Sequence, residues 1–492
     1  MKTSGKTWIV VLLLTTLILS GCGKEKTALN PRKPITITLW HYYVGDVLVA
    51  LEEAVNTFNQ TVGREKGVVV HPIAMGGLAQ LERRTTDAAT GTINSEPMPD
   101  AFSCYPDKAM EIDSYGKLID LNDYLTEEEK TKYVQAFFQD GYSHDNRLLV
   151  LPIAKSTELL YVNNTAWQEL CTAKGLTAEN LATWEGLYET ARQYYQWIDG
   201  TTPDTQWDGK GMMGLDSVAN YIIIGNRQLG VEILHTSGTG EGKVILNQEV
   251  LSRVFEVYYK GYSMGYFDAV GKFRSDDIKS NDLIAYVGSS SGASYFPTWV
   301  ACGYDKVDID LLPVPYPVFQ GGHEYAILQG AGMCVSKTDD AHQEGAALFL
   351  RWFTKEENNT PFAMASNYMP VQQGAYSAKE SLLALDTLDA GDKSQRNAAN
   401  AYRVALGQVV EGDVYAAPSF PGSYDARIIL QKTLIQTAQR GRAVAKNLQQ
   451  QNKSEEEVLQ GIDTPAAFAE WLAALEEAFN HLGIPFERTK PE

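Results

Sequence analysis

Ile35-Thr36-Ile37-Thr38-Leu39-Trp40-His41 decides how this chain is read. Its apolar residues alternate with threonine, the period-2 pattern of a strand with one buried face. Gly45-Asp46 then offers a helix N-cap, and Val47, Leu48, Leu51, Ala54, Val55 and Phe58 follow on one helical face. Residues 67–74 predict a second strand, 78–90 a helix and 100–104 a third strand. Strand, helix, strand, helix, strand is an α/β pattern with parallel pairing.

The pattern extends outward. Residues 148–153 and 159–162 predict two more strands, and Thr183 caps a helix carrying Trp184, Leu187, Ala191, Tyr194 and Ile198. Residues 199–214 read as surface loop. Further strands are expected at 283–287, 309–314, 325–328 and 333–335. The chain then turns helical. Ala341, Leu348, Phe349 and Trp352 share a face, and Thr464-Pro465 reads as a capping residue before a first-turn proline. Phe468, Trp471, Leu472, Leu475 and Phe479 mark the last buried stripe. No repeat with the period of a solenoid is visible.

The chain has 492 residues, 44 % of them hydrophobic and 21 % charged, which excludes wholesale disorder and predicts two domains or three. Its net charge of −19 argues against nucleic acid, whose phosphates need clustered Lys and Arg. Five cysteines exclude a disulfide-dense scaffold. Cys104, Cys171, Cys302 and Cys334 lack the short spacing of a zinc or redox site and read as small buried hydrophobes.

Lys2 and Lys6 precede an apolar run over 8–19, too short to span a bilayer, followed by Leu19-Ser20-Gly21-Cys22. A basic start, a short apolar core and small residues read as an export signal. The cysteine at its end resembles the bacterial lipoprotein signal, which implies removal of 1–21 and acylation of Cys22. Residues 22–34, polar and with two prolines, are then the lipidated end and a flexible tether from membrane to domain.

Gly288-Ser289-Ser290-Ser291-Gly292 fits G-x-S-x-G and follows a strand, so Ser290 is a candidate hydrolase nucleophile, with Asp308 or Asp310 and His323 as partners. Against it, the pattern is short, Pro297 arrives where the elbow needs a helix, and the serine stands too late in the chain. Gly238-Thr239-Gly240-Glu241-Gly242 has an acid where a phosphate cradle would not place one. The histidines (His41, His71, His144, His235, His323, His342, His481) show no metal spacing. No catalytic constellation, metal or cofactor is expected. Aromatic and hydroxyl residues instead gather at strand ends, in Trp40-His41-Tyr42-Tyr43, in Lys155-Ser156-Thr157-Glu158, and at Tyr286 with Ser289–Ser291. Ligands of open α/β sheets bind beyond those ends, and such residues suit sugar C–H faces and hydroxyls.

Taken in order, the segments resemble the bacterial extracellular solute-binding proteins of the carbohydrate family, the capture subunits of ABC importers. The resemblance is carried by Ile35–His41 with Leu51 to Asn59, Pro99-Asp100-Ala101-Phe102, and Gly116-Lys117-Leu118-Ile119-Asp120-Leu121. It continues through Leu151-Pro152 to Ser156-Thr157, Leu160-Tyr161-Val162-Asn163, Thr183-Trp184-Glu185, Ala346 to Phe353 and Tyr368-Met369-Pro370. It implies a two-lobed α/β periplasmic-binding-protein fold (type II), each lobe a mostly parallel sheet flanked by helices, with a ligand cleft between. Lobe one is expected at 35–150 plus 288–336 and lobe two at 151–287 plus 337–490, with crossings near 149–160, 283–289 and 335–340.

Ser290-Ser291-Gly292, the stretch 326–332 and Tyr368-Met369-Pro370 also resemble the glycerol-phosphate-binding branch. That branch carries an arginine where this chain has Ala417-Pro418-Ser419-Phe420-Pro421-Gly422, and tryptophans where it has Ser217, Asn220 and Tyr221. A buried phosphate needs a cation, so a neutral sugar is the expected ligand and a glycerol phosphate or phosphodiester the alternative, with Arg427 or Lys155 as its counter-charge. The expected cleft residues are Tyr42, Asp46, Ser156, Thr157, Tyr221, Ser290, Ser291, Gly330 and Tyr368. The tyrosines stack on ligand, while Asp46 and the hydroxyls hydrogen-bond. The expected partners are a small-molecule carbohydrate, ABC permease subunits and the membrane through Cys22, for a monomer on the extracytoplasmic face.

Overall fold

The computed structural model describes residues 27–202, 204–237, 241–376 and 385–489. Residues 1–21 and Cys22, read as signal and lipid anchor, lie outside the described residues.

Alternation in 35–41 produces the strand Ile35–His41, with Ile37 and Leu39 fully buried. It pairs in parallel with Val68–Ala74 on one side and Ala101–Cys104 on the other. Thr38 ties the start of the third strand, its backbone N–H and Oγ1 both donating to Asp100 Oδ2 at 2.8 Å. Gly332–Val335 joins antiparallel to Ala101–Cys104, and Leu151–Pro152 closes the five-stranded sheet. The helix Gly45–Gln60 buries Leu51, Val55 and Phe58 against it. Val44, not Gly45-Asp46, is the cap, which puts Asp46 in the first turn.

The second sheet runs Leu311–Val314, Glu158–Asn163, Ala285–Ser289, Met213–Leu215. Its strand Glu158–Asn163 is buried at every residue, as a central strand covered on both faces must be. Helix Trp184–Asp199 packs here, Thr183 Oγ1 accepting the Gly186 N–H at 3.0 Å. A 28-residue helix, Ser423–Gln450, lies against Gln248–Met264 and Thr464–Leu482, where Trp471 Nε1 donates to Thr433 Oγ1 at 3.0 Å. Asp463 caps that last helix, one residue before the expected Thr464.

Several expectations are corrected. Neither sheet is mostly parallel: Gly332–Val335 runs antiparallel to both its neighbours, and so does Glu158–Asn163. Residues 311–314 pair with Leu160–Asn163 and so belong to the second sheet, not to lobe one. Helix Asp340–Phe353 places Ala346, Phe349 and Leu350 in the core around Ile37 and Leu39, so it belongs to the first lobe. The chain therefore does not cross at 283–289 or at 335–340. Past helix Glu356–Ala365 it returns to the second lobe, which holds Ser423–Gln450; its earlier crossings lie between Pro152 and Glu158 and between Ile327 and Gly332. Those two connections bond to each other through Ser156 N–H to Gln329 O at 2.9 Å and the reverse bond at 2.8 Å. Met213–Leu215, which overlaps the end of the stretch read as loop, is a strand parallel to Ala285–Val287. Residues 27–34 do not hang free. Ala28 N–H donates to Glu344 at 2.7 Å, and Leu29 packs on the first core.

Candidate ligand-binding groove

Between the two sheets, over the crossing segments, lies a groove of about 400 Å³. Lobe one contributes Glu82, Tyr105, Asp107, Asp140 and Tyr368; the crossings contribute Ser156, Gln329 and Gly330. Lobe two contributes Ser217, Asn220, Ser289, Ser291, Ser419, Tyr424 and Arg427.

Local rules put these side chains there. Tyr105 directly follows the third strand and precedes Pro106, the first residue of helix Pro106–Ser114, so Tyr105 and Asp107 stand at a strand's carboxyl end. Ser217 caps helix Val218–Gln228 by accepting the Asn220 N–H at 3.2 Å, which faces Ser217 and Asn220 to the groove. Helix Ser423–Gln450 begins at the groove, and its first turns present Tyr424 and Arg427, three residues apart on one face.

Beneath the surface runs one polar chain. Arg427 Nη2 donates to Asn220 Oδ1 at 2.6 Å, and Asn220 Nδ2 donates to Glu158 Oε1 at 2.8 Å. Gln329 Nε2 donates to the same oxygen at 3.1 Å. Burial pushes the Glu158 carboxyl up to about 7, with Asn220, Gln329 and Arg427 opposing and Asp216 adding to the rise. Beside it Ser289 Oγ donates to Ser156 Oγ at 3.2 Å and lies 2.9 Å from Ser291 Oγ. Lys155 Nζ is held by Asp140 at 2.6 Å and Gly330 O at 2.9 Å, so its charge is spent within the protein.

Of the nine expected residues, the groove wall contains Ser156, Ser291, Gly330 and Tyr368. Tyr42 sits beside it, next to Tyr105, which takes the wall position. Asp46 is elsewhere, in a surface cavity between helices Gly45–Gln60 and Glu356–Ala365. Thr157 and Ser290 are buried behind the wall, the Thr157 N–H donating to Ser290 Oγ at 3.2 Å. Tyr221 is in the core, its ring 4.7 Å from Trp184 and its hydroxyl donating to Val254 O at 2.8 Å. One residue past Asn220 on a helix is a turn of about 100°, which faces the ring away from the groove.

Tyr105, Asp107, Asn220, Gln329, Tyr424 and Arg427 join the wall beyond the nine expected residues. The strand-end rule reaches Tyr105 and Asp107 once it is applied to the third strand. The stretch 417–422 lacks an arginine, and the helix that follows supplies Arg427 to the same wall. Ser290 makes no hydrogen bond to a histidine among the described residues, and a 3₁₀ turn, Ser290–Tyr295, follows it instead of the elbow's helix. His323 pairs with Asp413 at 2.6 Å. No group of three His, Cys, Asp or Glu suited to a metal ion, and no helix long and apolar enough to cross a membrane, occurs among the described residues.

Two α/β lobes around a polar interlobe groove define a ligand-capturing binding protein. Residues 53–384 match the bacterial extracellular solute-binding proteins, and the chain belongs to that family, whose members act outside the cytoplasm. No curated protein sequence matched it. Among solved structures it is similar to UgpB from Mycobacterium tuberculosis in complex with glycerophosphocholine, at 19 % identity and TM-score 0.65 over 92 % of this chain and 99 % of that one. It is also similar to the cyclic α-maltosyl-1,6-maltose binding protein of Arthrobacter globiformis, at 17 % identity and TM-score 0.62 over 90 % of this chain and 100 % of that one. The GacH receptor of Streptomyces glaucescens, solved with acarbose, aligns at 13 % identity and TM-score 0.60 over 91 % and 98 %.

Proposed function

We propose that the protein is a lipid-anchored receptor, without catalytic turnover, that captures a carbohydrate outside the cytoplasm and delivers it to the permease of an ABC importer. One observation carries the ligand class. The groove combines hydroxyls (Ser156, Ser217, Ser289, Ser291), amides (Asn220, Gln329), carboxylates and tyrosines, with a single guanidinium. Such a lining offers donors and acceptors to many hydroxyls and flat faces to a sugar ring. The ligand acts by favouring the closed arrangement of the lobes in proportion to its preference for it. Uptake and sensing need the same receptor.

A glycerol phosphodiester is the second reading, favoured by Arg427 on the wall and by the neighbour solved with glycerophosphocholine. Against it, a phosphate here meets Glu82, Asp107 and Asp140, and Lys155 is already engaged.

Thermal unfolding with neutral sugars, oligosaccharides, sugar phosphates and glycerol phosphates separates the two. A ligand at a hundred times its Kd adds about 2.7 kcal/mol, a shift of a degree or more for this size. Stabilisation by phosphorylated compounds alone overturns the carbohydrate reading. The anchor is tested separately: Cys22→Ala is expected to abolish acylation and leave unprocessed precursor or soluble protein, and a variant that still partitions with lipid refutes it.

A further inference from the structure

Carboxylates outnumber cations in the groove, and two of the three have no ion-pair partner among the described residues. Glu82, Asp107, Asp140 and Arg427 are its charged wall residues, and Lys155 neutralises Asp140. Asp107 receives one protein hydrogen bond among the described residues, from the Lys108 N–H at 2.9 Å. Glu82 receives none and has no ion-pair partner there; Lys108 is drawn instead to Glu111 at 2.7 Å. Behind the wall Glu158, 2 % exposed, keeps its Oε2 without any partner while Oε1 takes the Asn220 and Gln329 amides. Arg427, the cation facing these groups, is turned to Asn220. Tyr105 and Tyr424 line the same end of the groove as Glu82 and Asp107.

A neutral sugar would leave Glu82 and Asp107 desolvated, with Lys108 and Arg427 near them but bonded to other groups, and a phosphate would add to the repulsion. An ammonium group would be stabilised by both carboxylates and by the negative faces of the tyrosine rings. We propose that the ligand of this groove is a polyol bearing an ammonium group, an amino sugar or a compound of like chemistry, seated with its cation between Glu82, Asp107, Tyr105 and Tyr424 and its hydroxyls toward Asn220, Gln329 and Arg427. The inference rests on the receptor reading above and narrows its ligand. The titration behaviour agrees. Burial holds both carboxyls above their usual range. Glu82 is raised further by Asp107 and Glu111 and lowered by Lys108; Asp107 is raised by Asp140 and lowered by Arg427. A bound cation would pull both back down and release protons.

The test uses purified protein and two matched sets: glucose, glucosamine and glucose 6-phosphate; and glycerol, 3-aminopropane-1,2-diol and glycerol 3-phosphate. Thermal unfolding is expected to rise with the cation-bearing member of a set and not with its neutral or purely anionic counterparts. Asp107→Asn should weaken that binding at least about tenfold, with Glu82→Gln as a second variant, the unliganded melting temperature of each reporting its folding. Calorimetry near pH 5 in two buffers of different ionisation enthalpy should show proton release on binding. Stabilisation by neutral members alone overturns the ammonium assignment and leaves the carbohydrate receptor standing. Stabilisation by purely anionic members alone, or cation binding indifferent to both variants, overturns it as well. No shift from any of the six counts against both readings.

Discussion

Asn220 and Glu158 meet at 2.8 Å under the groove, the amide Nδ2 donating to the carboxylate Oε1. The contact fixes which way the amide points, so its oxygen is left to receive Arg427 at 2.6 Å. A buried carboxylate thereby orients a groove residue without reaching the groove itself. It also makes stability depend on pH. The folded Glu158 carboxyl titrates at about 7, above its ordinary 4.5, so the folded state holds a proton that the unfolded chain has released. The stabilisation from that proton is full below pH 4.5 and is lost as pH rises through 7. A displacement of that size corresponds to a free energy on the order of 3 kcal/mol. Urea unfolding at pH 5 and pH 8 should show this loss in the wild type and its disappearance in Glu158→Gln. An equal pH dependence in both proteins would place the titration elsewhere.

Lys155 and Asp140 form an ion pair whose side chains are 2 % and 14 % exposed. Removing one partner strands the other charge, so Lys155→Met should cost about 3–5 kcal/mol, and Lys155→Met with Asp140→Leu markedly less than the two single changes added together. A double-mutant cycle by denaturant midpoint measures the coupling. Simple additivity would mean that the pair contributes nothing.

Tyr221 and Tyr368, both expected to stack on ligand, stand in different surroundings. Tyr221→Phe removes the bond to Val254 O and should cost about 1 kcal/mol of stability without changing ligand affinity. Tyr368→Ala, on the groove wall, should weaken ligand binding by about 1–3 kcal/mol. Calorimetry with whichever compound stabilises the wild type, beside urea titration of both variants, reads the two effects. The reverse pattern would move the binding site.

Gly330 joins the crossings at φ +109°, where a Cβ would stand 2.8 Å from Ala154 O. Gly330→Ala should therefore destabilise by about 1–3 kcal/mol. Gly292→Ala, where a Cβ meets nothing within 4 Å, serves as the neutral control. Equal melting temperatures for the two variants would show that the crossing adjusts freely.

Much of the fold could be read from local pattern. Alternation in 35–41, the capping threonine at 183 and the stripe from Phe468 to Phe479 each describe one element and its buried face. The site was less legible. Ser156, Ser291, Gly330 and Tyr368 follow from strand ends and loops near the crossings. Asp46 lies away from the groove: Val44 caps its helix, and Asp46, in the first turn, lines an outer cavity. Tyr221 failed because its neighbour Asn220 occupies the groove face of the same helix.

By itself the sequence determined the α/β class, the strands and helices whose periodicity buries one face, and the family resemblance carried by short motifs in fixed order. Those are properties of neighbours along the chain, and hydrophobic period and capping chemistry report them directly. Only the tertiary structure decided which lobe each late segment joins and which carboxylates stand unpaired in the groove. Strand Leu311–Val314 could have extended either sheet, and its place came from pairing with Leu160–Asn163, some 150 residues earlier in the chain. Arg427 reached the wall because a long helix docks on Gln248–Met264. Such long-range pairings depend on the packing of many elements at once, and no local stretch of sequence records that sum.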